Sequence, residues 1–400
     1  MSARPIEIAG NGRRAPARLK VAVACSGLGH VQRGIESWAE DLGQALRRTD
    51  VDVTVFGGAS GGDTVVLPCL KRTGAGAIRV AQAFRHLGGW RYGLGSAYDV
   101  EQTSFALALW RQIRRDVDIL HVQDPILATW CERAHRRGLC RAKVVYANGT
   151  GDSPERMRRF AHLQLLTREA FDAWQAQKPP GQMVFMVPNF VDAARFSPGD
   201  RKAARAALGL PQDRTIVLCC AAIRRFHKRI DYLLAEFAGV LARTHRDVML
   251  VIAGGREADT DELIAEGETR LGERVRFMPN VPHDRMPELY RAADLFVLAS
   301  LYEMFGIVLL EAMATGLPVV CHDTLGFRSV VGPAGRYSDL SAGGALTAEI
   351  LELLADDARA ALAREARPHI EACYSTAAVV PRIVQMYSSV FSGRADVSGC

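Results

Sequence analysis

The sequence predicts an α/β protein of two domains, each built on a parallel β-sheet covered by helices. Short apolar runs alternate with helical patterns from about residue 19 onward, which is typical of parallel sheets with right-handed crossovers. At 400 residues, the chain is long for one core and matches two domains of roughly 100–200 residues each. A turn-rich linker, FSPGD after VPNFVD, lies near the middle of the chain.

The first series of elements covers residues 19–195. Leu19 to Cys25 forms the first strand, and an amphipathic helix then runs to Arg48. The Gly-rich segments 57–62 and 88–95 are assigned neither to helix nor to strand. Trp90 and its aromatic neighbours in the second segment suit acceptor recognition, although packing against a helix is an alternative. Further strands are predicted at 51–56, 118–122 and 143–147.

The second series begins near Thr215, after a domain boundary placed at residue 195. After Ala342 only helical patterns remain, and the last of them covers Thr376 to Phe391. Residues 1–18 carry basic side chains but lack the apolar core of a signal peptide, so a flexible tail is expected there. Strands are predicted at 215–222, 247–253, 274–277, 294–299 and 317–321.

Composition and charge exclude several classes of protein. The chain is 48% hydrophobic and 24% charged, as in ordinary globular proteins, and no run reaches the roughly 18 apolar residues that span a bilayer. The net charge of +6 includes arginine runs at 133–143 and 156–159. We interpret them as solvated helix faces, with docking to an anionic lipid surface or acidic acceptor as the alternative. No interleaving of aromatic residues with these basic runs supports a nucleic-acid platform, so no nucleic-acid partner is expected.

Cysteines and acidic triplets give no metal site. The nine cysteines show no C-x-x-C spacing, and several fall in predicted buried strands, which favours reduced core residues. The D-x-D triplets at 50–52, 116–118 and 259–261 are interpreted as strand starts or helix caps. No metal and no cofactor are expected, and the protein is expected to be cytoplasmic, with peripheral contact at the inner membrane face as an option.

Two carboxylates, Glu303 and Glu311, lie around a predicted strand-to-helix junction. The strand 294–299 leads into a polar turn that ends at a glycine, and a helix then covers 307–314. Glu303 would lie beside an anion bound at the helix start, and Glu311 could accept two adjacent hydroxyls, as a ribose offers. The alternative is one capping and one solvated glutamate. The free N–H groups that would favour a diphosphate belong to Phe305, Gly306, Ile307 and Val308.

With its flanks, the segment ADLFVLASLYEMFGIVLLEAMATGLPVV resembles the E-x7-E signature region of retaining glycosyltransferase family 4. Three further segments are similar to the family in its order: VPNFVDAARF, KRIDYLLAEF and VRFMPNVPHDRMPELYRAA. The resemblance implies the GT-B fold, in which two Rossmann-like domains face each other. It assigns acceptor binding to residues 19–195, nucleotide-sugar binding to 196–372, and a helix that crosses back onto the first domain to 373–400.

The resemblance also implies a diphosphate site in AAIRRFHKRID. Lys228 matches the family's lysine, whereas the family's Gly-Arg pair falls on Ala222 and Ile223, so the arginine must come from Arg224 or Arg225. A guanidinium and an ammonium can neutralise a leaving diphosphate. The alternative, a basic helix start, is disfavoured because positive charge there is unfavourable without an anion. Base recognition is expected from backbone near Met278, Pro279, Asn280 and Val281.

Two candidates belong to the first domain. The loop with Gly29 and His30 can cradle a phosphate, but it lacks the third glycine of a nicotinamide fingerprint, and a tight turn without a ligand is equally compatible. Asn148 stands where many family members carry a histidine that contacts the transferred sugar. Its amide can bond hydroxyls but cannot titrate, and an Asn-Gly turn is the competing interpretation.

Together these features predict a metal-independent retaining glycosyltransferase. It would move a sugar from an NDP-sugar, with UDP or GDP preferred, to a hydroxyl of a glycan, glycolipid or small molecule. Glu303, Lys228 and Arg224 are the catalytic candidates. The alternatives are a GT-B sugar-nucleotide epimerase or phosphorylase, and a non-catalytic GT-B binding protein.

Overall fold

A computed structural model describes residues 18–31, 34–59, 62–149 and 151–394. It contains two parallel sheets, of seven and six strands, so the predicted two-sheet α/β architecture is confirmed. The predicted tail lies outside the described residues except for Arg18. The predicted boundary at residue 195 falls between the last strand of the first sheet and the helix that precedes the second sheet.

The first sheet has the order β3-β2-β1-β4-β5-β6-β7. Its strands are β1 (Lys20–Cys25), β2 (Asp52–Gly57), β3 (Thr64–Val66), β4 (Ile119–Val122), β5 (Lys143–Ala147), β6 (His162–Leu165) and β7 (Met183–Met186). The helices of this half are α1 (Gly34–Leu46), α2 (Ala75–Phe84), α3 (Ala97–Ile113), α4 (Pro125–Arg136), α5 (Pro154–Met157) and α6 (Arg168–Gln175).

The second sheet has the order β10-β9-β8-β11-β12-β13. Its strands are β8 (Thr215–Cys220), β9 (Val248–Gly254), β10 (Val275–Pro279), β11 (Leu295–Val297), β12 (Val319–His322) and β13 (Gly335–Ser338). The helices of this half are α7 (Arg201–Leu208), α8 (Ile230–Leu241), α9 (Thr260–Leu271), α10 (Met286–Ala292), α11 (Ile307–Ala314), α12 (Leu325–Val331), α13 (Ala345–Leu353), α14 (Asp356–Cys373) and α15 (Thr376–Ser392).

Burial on both faces explains which strands the sequence could predict. In β1, Val21, Val23 and Cys25 join one core while Ala22 and Ala24 join the other, so the strand appears as one apolar run. The strands β3, β6, β7 and β13 were not predicted. In β6 the reason is polarity, because the buried His162 bonds the Val144 carbonyl and the buried Gln164 donates to the Val187 carbonyl.

Both sheets reverse their strand order beside the central strand. In the first sheet the reversal lies between β1 and β4, and in the second between β8 and β11. Loops that leave the carboxyl ends of such neighbouring strands diverge and open a crevice, where ligands of open α/β sheets bind. The fold therefore directs attention to the loops after β1, β4, β8 and β11.

The last helix returns to the first sheet, as predicted. Tyr387 of α15 lies 2.6 Å, oxygen to nitrogen, from His121 Nδ1 in β4, and Lys143 Nζ donates to the Val390 carbonyl at 2.8 Å. A single chain segment thereby ties the end of the second half to the core of the first. Among the described residues, no helix combines the length and the apolar character needed to cross a bilayer.

Gly254, at the carboxyl end of β9, fixes the backbone that carries the predicted arginines. A Cβ at this position would lie 1.8 Å from the Ala221 carbonyl oxygen, which is backbone and cannot rotate away. We expect Gly254→Ala to lower the free energy of unfolding by about 2–3 kcal/mol through overpacking. Urea denaturation of the variant and the wild type measures this loss. Gly343→Ala is the control, because no heavy atom lies within 4 Å of its added Cβ; equal losses in both variants would contradict the argument.

Candidate active site

The loop between β11 and α11 carries the first predicted glutamate. Gly306 adopts left-handed backbone angles, with φ of 81°, immediately before α11 begins. This conformation favours glycine and aims the first N–H groups of the helix out of its end. Ser300, earlier on the same loop, is fully buried, and its hydroxyl has no hydrogen-bond partner in the protein. The loop therefore offers polar groups at the carboxyl edge of the second sheet.

Lys228 and Glu303 form an ion pair across two neighbouring strands. Lys228 follows β8 and Glu303 follows β11, and Nζ of the lysine donates to Oε1 of the glutamate. Both side chains are mostly buried, at 18% and 13% exposure. The structure thus brings together two of the three predicted catalytic residues, at the point where the strand order reverses.

The two arginines on this loop have different surroundings. Arg225 places its guanidinium 2.9 Å from Glu266 and 4.0 Å from Asp231, which lie on helices behind the loop. Arg224 instead approaches His227 Nδ1 at 3.3 Å, and its buried Nε lacks a partner. Within the described part of the chain, Arg224 therefore lacks an acidic partner, whereas Arg225 is already paired with carboxylates.

His227 was missed by the sequence analysis. Its backbone is left-handed, with φ of 72°, and its Nε2 lies 2.7 Å from the Tyr302 carbonyl oxygen. It thereby joins the loop after β8 to the loop after β11. Burial of the ring, with the charge of Lys228 as the second cause, lowers the pKa of His227. The only feature of the sequence that pointed to His227 was its position next to Lys228.

Glu311 is buried and already engaged. Its Oε2 accepts a hydrogen bond of 2.6 Å from the Tyr290 hydroxyl, and its Oε1 lies 3.9 Å from His283 Nε2. Burial raises the pKa of Tyr290, so that the phenol stays a donor. The sequence predicted the position of this carboxylate but not Tyr290 and His283, although both lie in the segment 275–293 that resembles the family.

The segment Met278, Pro279, Asn280 and Val281 ends β10 at the same edge. Asn280 has left-handed backbone angles, with φ of 56°, and its N–H donates to the Gly254 carbonyl at 2.8 Å. Its side-chain oxygen accepts from the Arg256 N–H at 3.1 Å. Met278 and Val281 pack against the core of the second half. This segment is therefore held rigidly beside the loops that carry Arg224 and Glu303.

A buried ionic cluster links α1 to Glu311. Asp41 of α1 lies 3.4 Å from Arg195, which donates to the His283 carbonyl at 2.6 Å. Burial raises the pKa of Asp41 to about 6, although His283 and Arg195 oppose the shift. Burial alone would lower the pKa of His283, but the hydrogen bond and charge of Glu311 and the charge of Asp41 have a larger effect. The pKa of His283 is therefore raised. Sequence reasoning gave no indication of this cluster.

The raised pKa of Asp41 makes stability depend on pH. Because the folded state binds the Asp41 proton more tightly than the unfolded state, stability falls as the pH rises from about 4 to about 6. We expect the wild type to lose roughly 2 kcal/mol relative to Asp41→Asn between about pH 4.5 and about pH 7, at about 1.4 kcal/mol per pKa unit. Urea midpoints of both proteins across this range test it. Parallel curves would show that Asp41 does not titrate there.

On the first domain, His30 belongs to a buried polar network rather than to an open phosphate loop. Its Nε2 lies 3.0 Å from Glu101, which also accepts from the Arg72 Nε at 2.9 Å. Burial alone would raise the pKa of Glu101, but these hydrogen bonds lower it to about 2. Gly29 precedes His30 with a φ of 88°. The network, which sequence reasoning missed apart from His30, lies at the carboxyl ends of β1 and β4.

Asn148 follows β5 and is buried within its own loop. Its side-chain nitrogen lies 3.4 Å from the Met157 sulfur, and its oxygen lies 3.4 Å from the Asp152 N–H. These contacts hold the Asn148 side chain against the segment that follows β5. Gln123, after the adjacent β4, is buried with an unpartnered side-chain nitrogen, and a Cβ on Gly149 would lie 2.4 Å from its oxygen.

The two halves approach each other near the loops that carry candidate residues. A Cβ on Gly34, at the start of α1, would lie 4.0 Å from Ile307 at the start of α11. A Cβ on Gly151 would lie 3.1 Å from the Met304 sulfur, on the loop of Glu303. Among the described residues, no group of three or more His, Cys, Asp or Glu side chains could hold a metal ion.

Comparisons with known proteins agree with this arrangement. The family model "Glycosyltransferase Family 4" matches residues 32–195, and "Glycosyl transferases group 1" matches residues 200–369. A D-inositol 3-phosphate glycosyltransferase of Catenulispora acidiphila is 36% identical over 217 residues, which are 51% of each chain. One of Mycolicibacterium gilvum is 43% identical over 146 residues, covering 35% of this chain and 31% of the relative. The matched region is about half or less of these curated relatives.

Solved structures match nearly the whole chain. Sucrose-phosphate synthase from Thermosynechococcus elongatus superposes with a TM-score of 0.75, 19% identity, and coverage of 94% of this chain and 100% of that one. Anabaena Alr3699/HepE, solved with UDP and glucose, gives a TM-score of 0.72 at 18% identity, with coverage of 93% and 100%. At these identities the similarity establishes the two-domain fold.

Proposed function

Because the chain belongs to glycosyltransferase family 4 and has the GT-B fold, we propose that it transfers a sugar from an NDP-sugar to an acceptor hydroxyl, with retention of anomeric configuration and without a metal. The observation that carries this proposal is the Lys228–Glu303 pair beside Arg224 and the start of α11. Two cationic side chains and a helix N-terminus thereby converge at the carboxyl edge of the second sheet, where a leaving diphosphate would need them.

Each residue has a distinct part in the proposed reaction. Lys228 and Arg224 stabilise the charge that develops on the diphosphate as the bond to the anomeric carbon breaks. Glu303 orients sugar hydroxyls, and its pairing with Lys228 holds both side chains ready before the donor arrives. Glu311 holds the ribose, with Tyr290 fixing one of its oxygens. Neither glutamate acts as a general acid or base.

The acceptor attacks from the side on which the diphosphate leaves. Its oxygen bonds the anomeric carbon, the bond from that carbon to the phosphate oxygen breaks, and the acceptor proton moves to the departing phosphate oxygen. The products are a glycoside and an NDP. Acceptor binding falls to the first domain at the carboxyl ends of β1 and β4, where the buried network of Ser26, His30, Arg72 and Glu101 fixes the loops around the proposed acceptor site.

The names of the matched proteins narrow the substrates worth testing. The curated relatives are named D-inositol 3-phosphate glycosyltransferases, and one solved structure is titled as a complex with UDP-glucose. We propose a polyol hydroxyl as the acceptor and a UDP- or GDP-sugar as the donor. Gln123 and Asn148, at adjacent strand ends of the first sheet, are the amides we propose for contact with the transferred sugar.

A donor screen followed by product analysis tests the function. NDP release from UDP-, GDP- and ADP-sugars is measured with a panel of cyclitols and sugars, with and without EDTA. Acceptor-dependent release that survives EDTA supports the proposal, and NMR of the product must show the donor's anomeric configuration. Turnover without an acceptor would favour an epimerase or phosphorylase. Absence of binding to any nucleotide would favour a non-catalytic protein.

A further inference from the structure

Exposed apolar side chains concentrate on one part of the first domain. Among the described residues, fourteen large hydrophobic side chains are exposed, and six of them lie between residues 70 and 92. Leu87, Trp90 and Tyr92 are 71%, 67% and 60% exposed. Patches of this kind on soluble proteins mark contact with a partner or a membrane. We call the exposed side chains of residues 70–97 the basic apolar surface; its large apolar members are Leu70, Ile78, Phe84, Leu87, Trp90 and Tyr92.

The helix α2 contributes to this surface. It packs on α3 through Ala77 and Ala81, which are buried, while Ile78 and Phe84 are 41% and 38% exposed. These two side chains add to the exposed apolar area of the surface.

Charge identifies the kind of medium. From Thr64 to Tyr98 the sequence contains five lysines or arginines and no aspartate or glutamate. Arg79, Arg85 and Arg91 are exposed, between the apolar residues. Basic side chains interleaved with Trp, Tyr and Leu are the composition of segments that lie at the interface of anionic membranes.

A groove crosses the same surface. It has a volume of about 340 Å³ and is lined by Ile78, Ala81, Gln82, Arg85, Gly95 and Ala97. Its walls are largely apolar, and Arg85 is the charged side chain among them. A groove of this size can take part of an acyl chain, and a guanidinium beside it can bond a headgroup phosphate.

The surface borders the proposed acceptor site. Arg72 lies at its start, bonded to Glu101, and its guanidinium stands 4.0 Å over the ring of Tyr98, which follows its end. Tyr98 in turn donates to Asp124 at the carboxyl edge of β4. A membrane that contacts the surface would therefore lie next to the acceptor crevice.

We propose that the basic apolar surface docks this protein on an anionic lipid bilayer. This goes beyond the proposed transfer, which requires no membrane. The proposed docking surface is also distinct from the basic runs 133–143 and 156–159. Those runs carry one exposed large apolar side chain, Leu139, among their charges. Docking would favour acceptors that are themselves anchored in the bilayer.

Vesicle co-sedimentation of the full chain tests the proposal. We expect binding to phosphatidylcholine vesicles with about 30% phosphatidylglycerol, weakening at least about tenfold between about 0.05 M and about 0.5 M salt. Ile78→Ser combined with Leu87→Ser should lower vesicle affinity about tenfold or more. Arg79→Gln combined with Arg85→Gln should lower vesicle affinity about 25-fold, at about fivefold per arginine.

Matched controls separate this surface from the other basic segments. Two control variants change exposed positions in the two arginine runs. Leu139→Ser removes a large apolar side chain, and Arg137→Gln combined with Arg158→Gln removes two positive charges. Both variants should retain vesicle binding. Nucleotide binding by calorimetry reports folding and the donor site independently of lipid. Failure of the wild type to bind vesicles, or equal losses in controls and test variants, would overturn the proposal. The proposal would also be overturned if the wild type formed a dimer in sedimentation, Leu87→Ser dissociated that dimer, and neither protein bound vesicles.

Discussion

Arg224→Ala is expected to lower kcat/KM about 100- to 1000-fold, whereas Arg225→Ala should lower it less than about threefold. Removal of one fixed group that stabilises transition-state charge has an effect of this size. Arg224 keeps a buried nitrogen without a partner, while Arg225 is paired with Glu266. Steady-state kinetics with the best donor measure both variants.

The adjacent arginines serve as each other's control. Each substitution removes one positive charge from the same loop, so a nonspecific electrostatic effect would lower both rates alike. Arg224→Lys should restore part of the activity, because an ammonium supplies charge but not the planar fork of donors. A larger loss in Arg225→Ala, or equal losses, would assign the diphosphate contact differently.

Glu311→Ala is expected to weaken binding of the donor nucleotide by about 100-fold or more, because a carboxylate that accepts two ribose hydroxyls makes charged hydrogen bonds of about 1.5–3 kcal/mol each. The variant should also lose about 1–3 kcal/mol of stability, since the buried Tyr290 hydroxyl loses its acceptor. Calorimetric titration with UDP and GDP and urea denaturation measure the two effects separately.

Tyr290→Phe distinguishes ribose binding from a structural role. It removes the same internal hydrogen bond but keeps the carboxylate, so nucleotide affinity should fall less than about fivefold while stability changes. If Tyr290→Phe and Glu311→Ala weakened the nucleotide equally, Glu311 would act only by supporting the fold. Unchanged affinity in Glu311→Ala would remove it from the donor site.

The sequence predicted the elements whose signals are local. Strands buried on both faces, such as β1 and β8, appear as apolar runs, and α11 was predicted with its observed bounds because Gly306 and the apolar pattern mark its start. The strand β6 was missed because its polar side chains are satisfied by distant backbone. In the site, the positions of Lys228, Glu303 and Glu311 were predictable from the motifs.

The partners of those residues could not be predicted. Tyr290 and His283 meet Glu311 only because α10 and the loop before it fold against α11, and Asp41 joins them from α1, more than 150 positions from Arg195 along the chain. The network of Arg72, Glu101 and His30 is equally nonlocal. Hydrogen bonds between buried groups depend on distances of about 3 Å, which sequence spacing does not specify.

By itself, the sequence determined two parallel α/β domains and the family, and it predicted the carboxylates and lysine that a nucleotide-sugar site would use. For the described residues, the tertiary structure decided which arginine lacks an acidic partner, which groups hold Glu311, and which apolar side chains between residues 70 and 92 stay exposed. The physical reason is the distance along the chain between the residues that set each feature. Burial periodicity and helix starts are set by neighbours along the chain, whereas side-chain pairing and surface exposure are set by which elements the fold brings together.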